Sequence, residues 1–399
     1  MLTTAIQETR GAAIPDSACE TELITVPLVQ ERAFGSWQDD IPAAYRRLSS
    51  DGLSARINAA RKALTGQAVI LGHHYQREDI IQFADVRGDS FKLAQWASEQ
   101  RDVPYIVFCG VHFMAESADI LTAPEQQVIL PNLAAGCSMA DMARPDDVYK
   151  AWDALARAGI DGIVPVTYVN SAAALKAFCG RNGGIVCTSG NAEAVLKWAF
   201  ERGRRVFFFP DQHLGRNTGA KMGIPLDEMT LWDYDWPFDN LGGNRVEQLQ
   251  RSRIILWQGH CSVHARFNVE QIRQARRDHP GVTVVVHPEC SLDVVREADA
   301  SGSTEFIVKT VTQAPPGSRI AIGTEINLVQ RLANEHPDKT VFCLDPIVCP
   351  CSTMYRVHPA YLCWVLEELA QGRVVNRIQV DEETAHWARI SLERMLQVR

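Results

Sequence analysis

From residue 68 onward the chain alternates two patterns. Short runs of apolar, largely β-branched or aromatic residues give way to longer stretches whose apolar positions recur every three or four residues. The first pattern predicts strands at 68–71, 105–109, 128–130, 163–168, 185–188, 206–209, 254–257, 282–287, 306–308, 320–322 and 341–344. The second predicts helices between them. Strands alternating with helices read as α/β units with parallel sheets, and this many strands exceed one compact sheet of ordinary size. Ahead of the rhythm, residues 1–55 show weak periodicity, with a helix predicted near 53–64. Residues 215–244, rich in Gly, Asp and Trp, break the rhythm and read as a surface excursion.

The rhythm is itself repeated. Three segments open with a strand that runs straight into polar residues: VILGHHYQ at 69–76, VPVTYVNS at 164–171 and VVVHPEC at 284–290. Three others close with a strand, a short loop and a cysteine ahead of a helical pattern. These are VILPNLAAGCSMADM at 128–142, IILWQGHCSVHARF at 254–267 and VFCLDPIVCPCSTMYR at 341–356. Opening and closing segments alternate along the chain, which predicts three α/β units of similar plan. In open α/β sheets ligands bind beyond the carboxyl ends of the strands, where helix N-termini present unpaired N–H groups. Every one of these segments lies at such an end, so units facing a common axis would share one pocket.

Composition narrows the function classes. With 40 Lys and Arg against 48 Asp and Glu, the net charge of −8 has the wrong sign for a nucleic-acid or anionic-membrane partner. No apolar run is long enough for a transmembrane helix, and Met1–Glu22 lacks a signal-peptide core, so a cytoplasmic protein is expected. Eleven cysteines, an odd number, argue for reduced thiols over a disulfide framework.

Most of those thiols read as small core hydrophobes. Cys137, Cys261 and Cys351 differ by their equivalent placement ahead of a helix, where the dipole favours thiolate. Three thiolates suit a [4Fe-4S] cluster with one iron free of protein ligands, and zinc with three ligands is the competing metal. Cys349 is the fallback for the third position, because Cys-Pro-Cys offers two thiols. In the opening segments, His73 and Tyr75 supply an imidazole and a phenol for proton relay. Tyr168 and Asn170 offer hydrogen bonds to carboxylates or carbonyls, and His287-Pro288-Glu289 sets Glu289 as a general base. Three hydroxyl clusters, Gly88-Asp89-Ser90, Cys187-Thr188-Ser189 and Gly302-Ser303-Thr304, suit phosphate or carboxylate oxygens, though each alone would pass as a helix cap. The competing classes are an iron–sulfur sensor, which leaves the strand-end His, Tyr and Glu unexplained, a zinc hydrolase, and a purely structural α/β protein.

Taken in order, these motifs closely resemble the quinolinate synthase family of bacterial NAD biosynthesis. The likeness runs from about residue 69 to 366. It includes GHHYQ, the AD–GDS stretch at 84–90, GVHFMAE at 110–116, AGCSMADM, TYVNS, CTSGNA, FPDQHLGR at 209–216, WQGHCSVH, VHPEC, GST and C-x-x-M at 351–354. The resemblance implies three similar α/β domains with short parallel sheets around a pseudo-threefold axis and an active site at their common interface. It implies condensation of iminoaspartate with dihydroxyacetone phosphate to quinolinate, phosphate and water, with a functional link to L-aspartate oxidase. It implies one [4Fe-4S] cluster per chain, ligated by Cys137, Cys261 and Cys351 and acting as Lewis acid. His73, Ser90, Tyr168, Asn170, Ser189, His287, Glu289 and Thr304 then resemble the substrate-binding set, and Tyr75, Glu289 and His73 the catalytic residues, with His264 and Met354 near the cluster. The expected division is an extension over 1–55, α/β domains over 56–145, 146–264 and 265–375, and a helical tail over 376–399.

Overall fold

The structure, a computed structural model, describes residues 27–30, 41–347 and 350–398. Residues 1–26 and 31–40 of the expected extension, and the fallback ligand Cys349, lie outside the described residues.

Three sheets form in succession. The first takes β1 (Ala68–His73), β2 (Val86–Gly88), β3 (Tyr105–Cys109) and β4 (Gln127–Ile129). The second takes β5 (Ile163–Tyr168), β6 (Ile185–Cys187), β7 (Arg205–Phe209), β8 (Met229–Trp232) and β9 (Ile254–Trp257). The third takes β10 (Thr283–Val286), β11 (Ala300–Ser301), β12 (Arg319–Gly323) and β13 (Thr340–Cys343). Finally β14 (Arg377–Ile378) returns to the first sheet, antiparallel to β4. Apart from β14, every pairing is parallel.

The strand order repeats: β2-β1-β3-β4, β6-β5-β7-β9 and β11-β10-β12-β13, with β8 added outside β9 and β14 outside β4. Strands covered by helices on both faces must be apolar throughout, which is why β1, β5, β7 and β9 read as unbroken apolar runs. In this order the connections leave the first strand in opposite directions, so a crevice opens at the carboxyl ends of the first and third strands of each sheet.

Two expectations need correction. Residues 306–308 are helical, inside Thr304–Gln313, which Ser303 caps by accepting from Phe306 N. Ile307 and Val311 face the core four residues apart while Phe306 is exposed, a helical period that a three-residue apolar run conceals. The stretch 215–244 is only partly an excursion: it contains β8, and Trp232 at its end is fully buried against Phe207. The unpredicted strands β2, β11 and β14 have two or three residues each, too short to carry a period.

The chain ends bind the units together. Helix Pro359–Ala370 lies on helix Ser50–Ala63, where Arg56 Nε donates to Glu367 Oε1 at 2.7 Å and Tyr45 Oη to Glu367 Oε2 at 2.7 Å. Helix Glu382–Gln397 packs on Ala173–Arg181 so closely that a Cβ on Gly180 would sit 1.9 Å from the Trp387 carbonyl oxygen. No helix of the described residues is long and apolar enough to cross a membrane. Gly180→Ala is therefore expected to destabilise the protein by about 1–3 kcal/mol through overpacking, read as a lower denaturant midpoint. An unchanged midpoint would show that the terminal helix does not need this approach.

Candidate active site

The first strand of each sheet ends in the residues that face the crevice. β1 ends on His73 with Tyr75 two residues on, β5 ends on Tyr168 with Asn170 two residues on, and His287 and Glu289 follow β10. The first and third ends share a local device. The backbone N–H of Tyr75 donates to His73 Nδ1 at 3.1 Å, and that of Glu289 to His287 Nδ1 at 3.4 Å. An Nδ1 that accepts leaves Nε2 carrying the proton. Burial pushes both imidazoles down to about 3, so each is a neutral donor at physiological pH.

Glu289, 3% exposed, is the centre of a network built across the sheets. Tyr168 Oη donates to its Oε1 at 2.6 Å, and His264 Nδ1 lies 2.8 Å from its Oε2, too far out of line for a directed hydrogen bond. His264 stacks on His287 with ring centres 4.5 Å apart, and its Nε2 is 3.1 Å from Thr324 Oγ1. Thr324 in turn meets Tyr75 Oη at 2.7 Å, to which Thr304 Oγ1 donates at 3.3 Å. Burial alone would raise the Glu289 carboxyl, but the His287 and His264 imidazoles and the Tyr168 hydrogen bond outweigh it and hold it well below the usual carboxylate range. Burial and the Glu289 charge push the phenols of Tyr75 and Tyr168 well up, so both remain protonated donors.

The three cysteines follow the last strand of each repeated order: Cys137 after β4, Cys261 after β9 and Cys351 after β13. Each is followed by serine, as Cys-Ser-Met-Ala, Cys-Ser-Val-His and Cys-Ser-Thr-Met. In each, the backbone N–H three residues on, from Ala140, His264 and Met354, favours the thiolate. Burial opposes this, pushing Cys137 up to about 12 and Cys261 and Cys351 above their usual value, and the thiols are near enough to oppose one another's ionisation. Such a set suits a cationic centre that supplies the missing charge. Cys349, followed by Pro350, lacks this pattern.

The second strands contribute hydroxyls. Ser90 and Thr304 are the first residues of helices Ser90–Glu99 and Thr304–Gln313, capped by Asp89 and Ser303, and Ser189 follows β6. The twelve residues expected as catalytic, substrate-binding or cluster-ligating line one cavity, whose remaining wall includes Phe91, Val111, Phe113, Met114 and Met139. Within it Asn170 Oδ1 is buried without a hydrogen-bond partner among the described residues.

Sequence reasoning missed the residues that hold these in place. Thr324, after β12, joins Tyr75 to His264; the regular polar ending of the other strands was its signal. Asn217 donates to the carbonyls of Pro288 and Cys290, both at 2.8 Å, and so fixes the Glu289 turn. Lys176, fully buried, donates to Ser171 O at 2.7 Å, and Ser171 Oγ to Tyr168 O at 2.8 Å. Glu325, which burial raises to about 7, accepts from Cys351 N at 3.1 Å. Nothing in the local sequence marks these three, because their partners are distant or are backbone atoms.

Residues 55–397 match the family model described as Quinolinate synthetase A protein. Among similar proteins, the quinolinate synthase of Corynebacterium glutamicum is 59% identical over 362 residues, covering 90% of this chain and 91% of its own. That of Nocardioides sp. is 57% identical over 365 residues, covering 90% and 91%. That of Rhodopirellula baltica is 53% identical over 367 residues, covering 89% and 93%. A likeness this high, running through all three sheets and every loop of the cavity, means that the chain belongs to the quinolinate synthetase A family.

Proposed function

We propose that this chain makes quinolinate for NAD biosynthesis from iminoaspartate and dihydroxyacetone phosphate, at a [4Fe-4S] cluster held by Cys137, Cys261 and Cys351. The observation that carries the proposal is the meeting of three thiols, a buried carboxylate and neutral hydrogen-bond donors in one cavity. Three equivalently placed thiols fit a cluster of this kind, one per chain. When bound, its iron without a protein ligand supplies Lewis-acid assistance to water loss.

The chain's own residues do the rest. The substrates bring carboxylates and a phosphate, and Ser90, Ser189 and Thr304 offer hydroxyls, two of them at helix N-termini that favour anions. The Nε2–H groups of His73 and His287 and the amide of Asn170 hold carboxylate or carbonyl oxygens and orient them. Glu289, ionised and aligned by Tyr168, takes protons; Tyr75, protonated and linked through Thr324 and His264 toward Glu289, returns them. Carbon–carbon bond formation, isomerisation, ring closure and dehydration all need such proton movement and no net redox change. The apolar wall excludes water from an imine that water would hydrolyse. L-aspartate oxidase fits as the source of that imine. The nine described cysteines are all free, which supports a reducing cytoplasm.

Three outcomes are expected. Anaerobically prepared protein should carry about four irons and four sulfides per chain and form quinolinate from the two substrates. Brown protein that makes no product would favour the sensor class, and colourless zinc-loaded protein the three-thiol zinc site. Glu289→Gln should keep the iron and sulfide content while turnover falls by about 10²–10⁴; a largely active variant removes Glu289 from the mechanism. Cys351→Ala should lose the cluster, whereas full retention would move the third ligand to Cys349.

A pH profile provides a fourth. Glu289 sits below the ordinary carboxylate range and is lost as base only when pH falls through that lowered value. His73 and His287 are neutral above about 3. The rate kcat/KM for dihydroxyacetone phosphate should show no histidine-like break attributable to His73 or His287 between about pH 5 and 8. A break in that window that disappears in His73→Gln or His287→Gln contradicts the neutral-donor assignment.

A further inference from the structure

Three donors of unlike kind meet at the proposed base, Glu289, which is one of them. Cys261 Sγ, a ring nitrogen of His264 and a Glu289 carboxylate oxygen all lie within 4.8 Å of one another. The remaining atoms of these side chains are already engaged. His264 Nε2 is taken by Thr324 Oγ1 at 3.1 Å, and Glu289 Oε1 by Tyr168 Oη at 2.6 Å. That leaves Nδ1 and Oε2 facing each other at 2.8 Å, with Nδ1 lacking an aligned partner among the described residues, in a side chain only 1% exposed. A buried ring nitrogen without a partner is uncommon and asks for a reason. A hydrogen bond on the opposite nitrogen is how proteins orient a metal-ligating histidine, and a second contact on the carboxylate does the same for a ligating glutamate.

Thiolate, imidazole and carboxylate together form a borderline-soft set suited to a zinc-class dication with three protein ligands and an open fourth position. Cys261 and Glu289 both line the cavity, so the fourth position is reachable from it.

We propose that the cluster-free chain binds one zinc-class divalent cation at Cys261, His264 and Glu289, releasing the Cys261 thiol proton to solvent. Neither Cys137 nor Cys351 is needed for it. A consequence, which rests on the cluster assignment made above, is that ion and cluster exclude each other, because both use Cys261. The ion also engages Glu289 and His264, so a chain loaded with it lacks its base as well as its cluster.

The test titrates cluster-free, reduced protein with cobalt(II), follows the visible and near-ultraviolet spectrum, and displaces the cobalt with zinc(II). One cobalt per chain is expected, with a thiolate charge-transfer band and tetrahedral ligand-field bands. Cys137→Ser/Cys351→Ser should bind within about twofold of the parent, while His264→Ala and Glu289→Gln should each weaken binding by at least about tenfold. Cobalt binding that survives His264→Ala and Glu289→Gln but is lost in the double serine variant overturns the proposal in favour of a three-thiol site. Failure to bind one equivalent overturns it as well. If circular dichroism shows His264→Ala unfolded, Glu289→Gln decides alone, since the near-isosteric amide can keep the Tyr168 hydrogen bond.

The cluster assignment is read separately, from iron and sulfide uptake on reconstitution. No uptake by metal-free protein discards the cluster reading and leaves the cation site standing. Full uptake after loading with one equivalent of zinc, with the cobalt results intact, overturns the mutual exclusion.

Discussion

The rest of the molecule is arranged around an ionised carboxylate that has almost no contact with solvent. Glu289 is 3% exposed and held below the ordinary carboxylate range, a state that costs several kcal/mol unless its oxygens are matched. Its own sheet supplies the nearby His287 imidazole but no hydrogen bond to either oxygen among the described residues. Tyr168 comes from the end of β5 and His264 from beyond β9, and the link on to Tyr75 at the end of β1 passes through Thr324 after β12. Holding this charge therefore ties the second sheet to the third, and the network that continues from it reaches the first. Asn217, on a helix of the second unit, makes the same demand from behind by gripping the carbonyls on either side of Glu289.

This dependence explains which parts of the protein were legible in its sequence. A strand buried on both faces has to be apolar, and a chain leaving its carboxyl end has to turn, so His73, Tyr168, His287 and the three cysteines stand out as polar or reactive groups at the ends of apolar runs. Repetition of that pattern disclosed three units, and their shared strand order is its structural counterpart. Strands β2 and β11 were hidden because they exist through pairing with β1 and β10, not through their own composition. The 306–308 run misled for the opposite reason: its apolar residues are real, but Ile307 belongs to a helical face completed by Val311.

Among the site residues, the same division holds. Groups that face the cavity sit at predictable places, whereas groups that hold them do not. Lys176 acts through the carbonyl of Ser171 and Glu325 through the N–H of Cys351, and a backbone partner leaves no trace in the sequence of either neighbour. Thr324 is intermediate: the polar endings of the other strands pointed to it, but its partners Tyr75 and His264 are distant in sequence. The serine after each of Cys137, Cys261 and Cys351 is the clearest unused signal, because it separates Cys351 from Cys349 without any structure.

The neutrality of His73 and His287 follows from the same economy of charge. In the proposed mechanism, an imidazolium at His73 or His287 would attract the Glu289 electron pair and make it a poorer base. Burial removes that option by pushing both rings down to about 3, while backbone N–H groups fix which nitrogen carries the proton. The result is a pair of uncharged donors, which the proposed function assigns to carboxylate oxygens. The proposed function then leaves anion binding to hydroxyls and helix N-termini at Ser90 and Thr304, which present partial charges that cannot take the proton it assigns to Glu289.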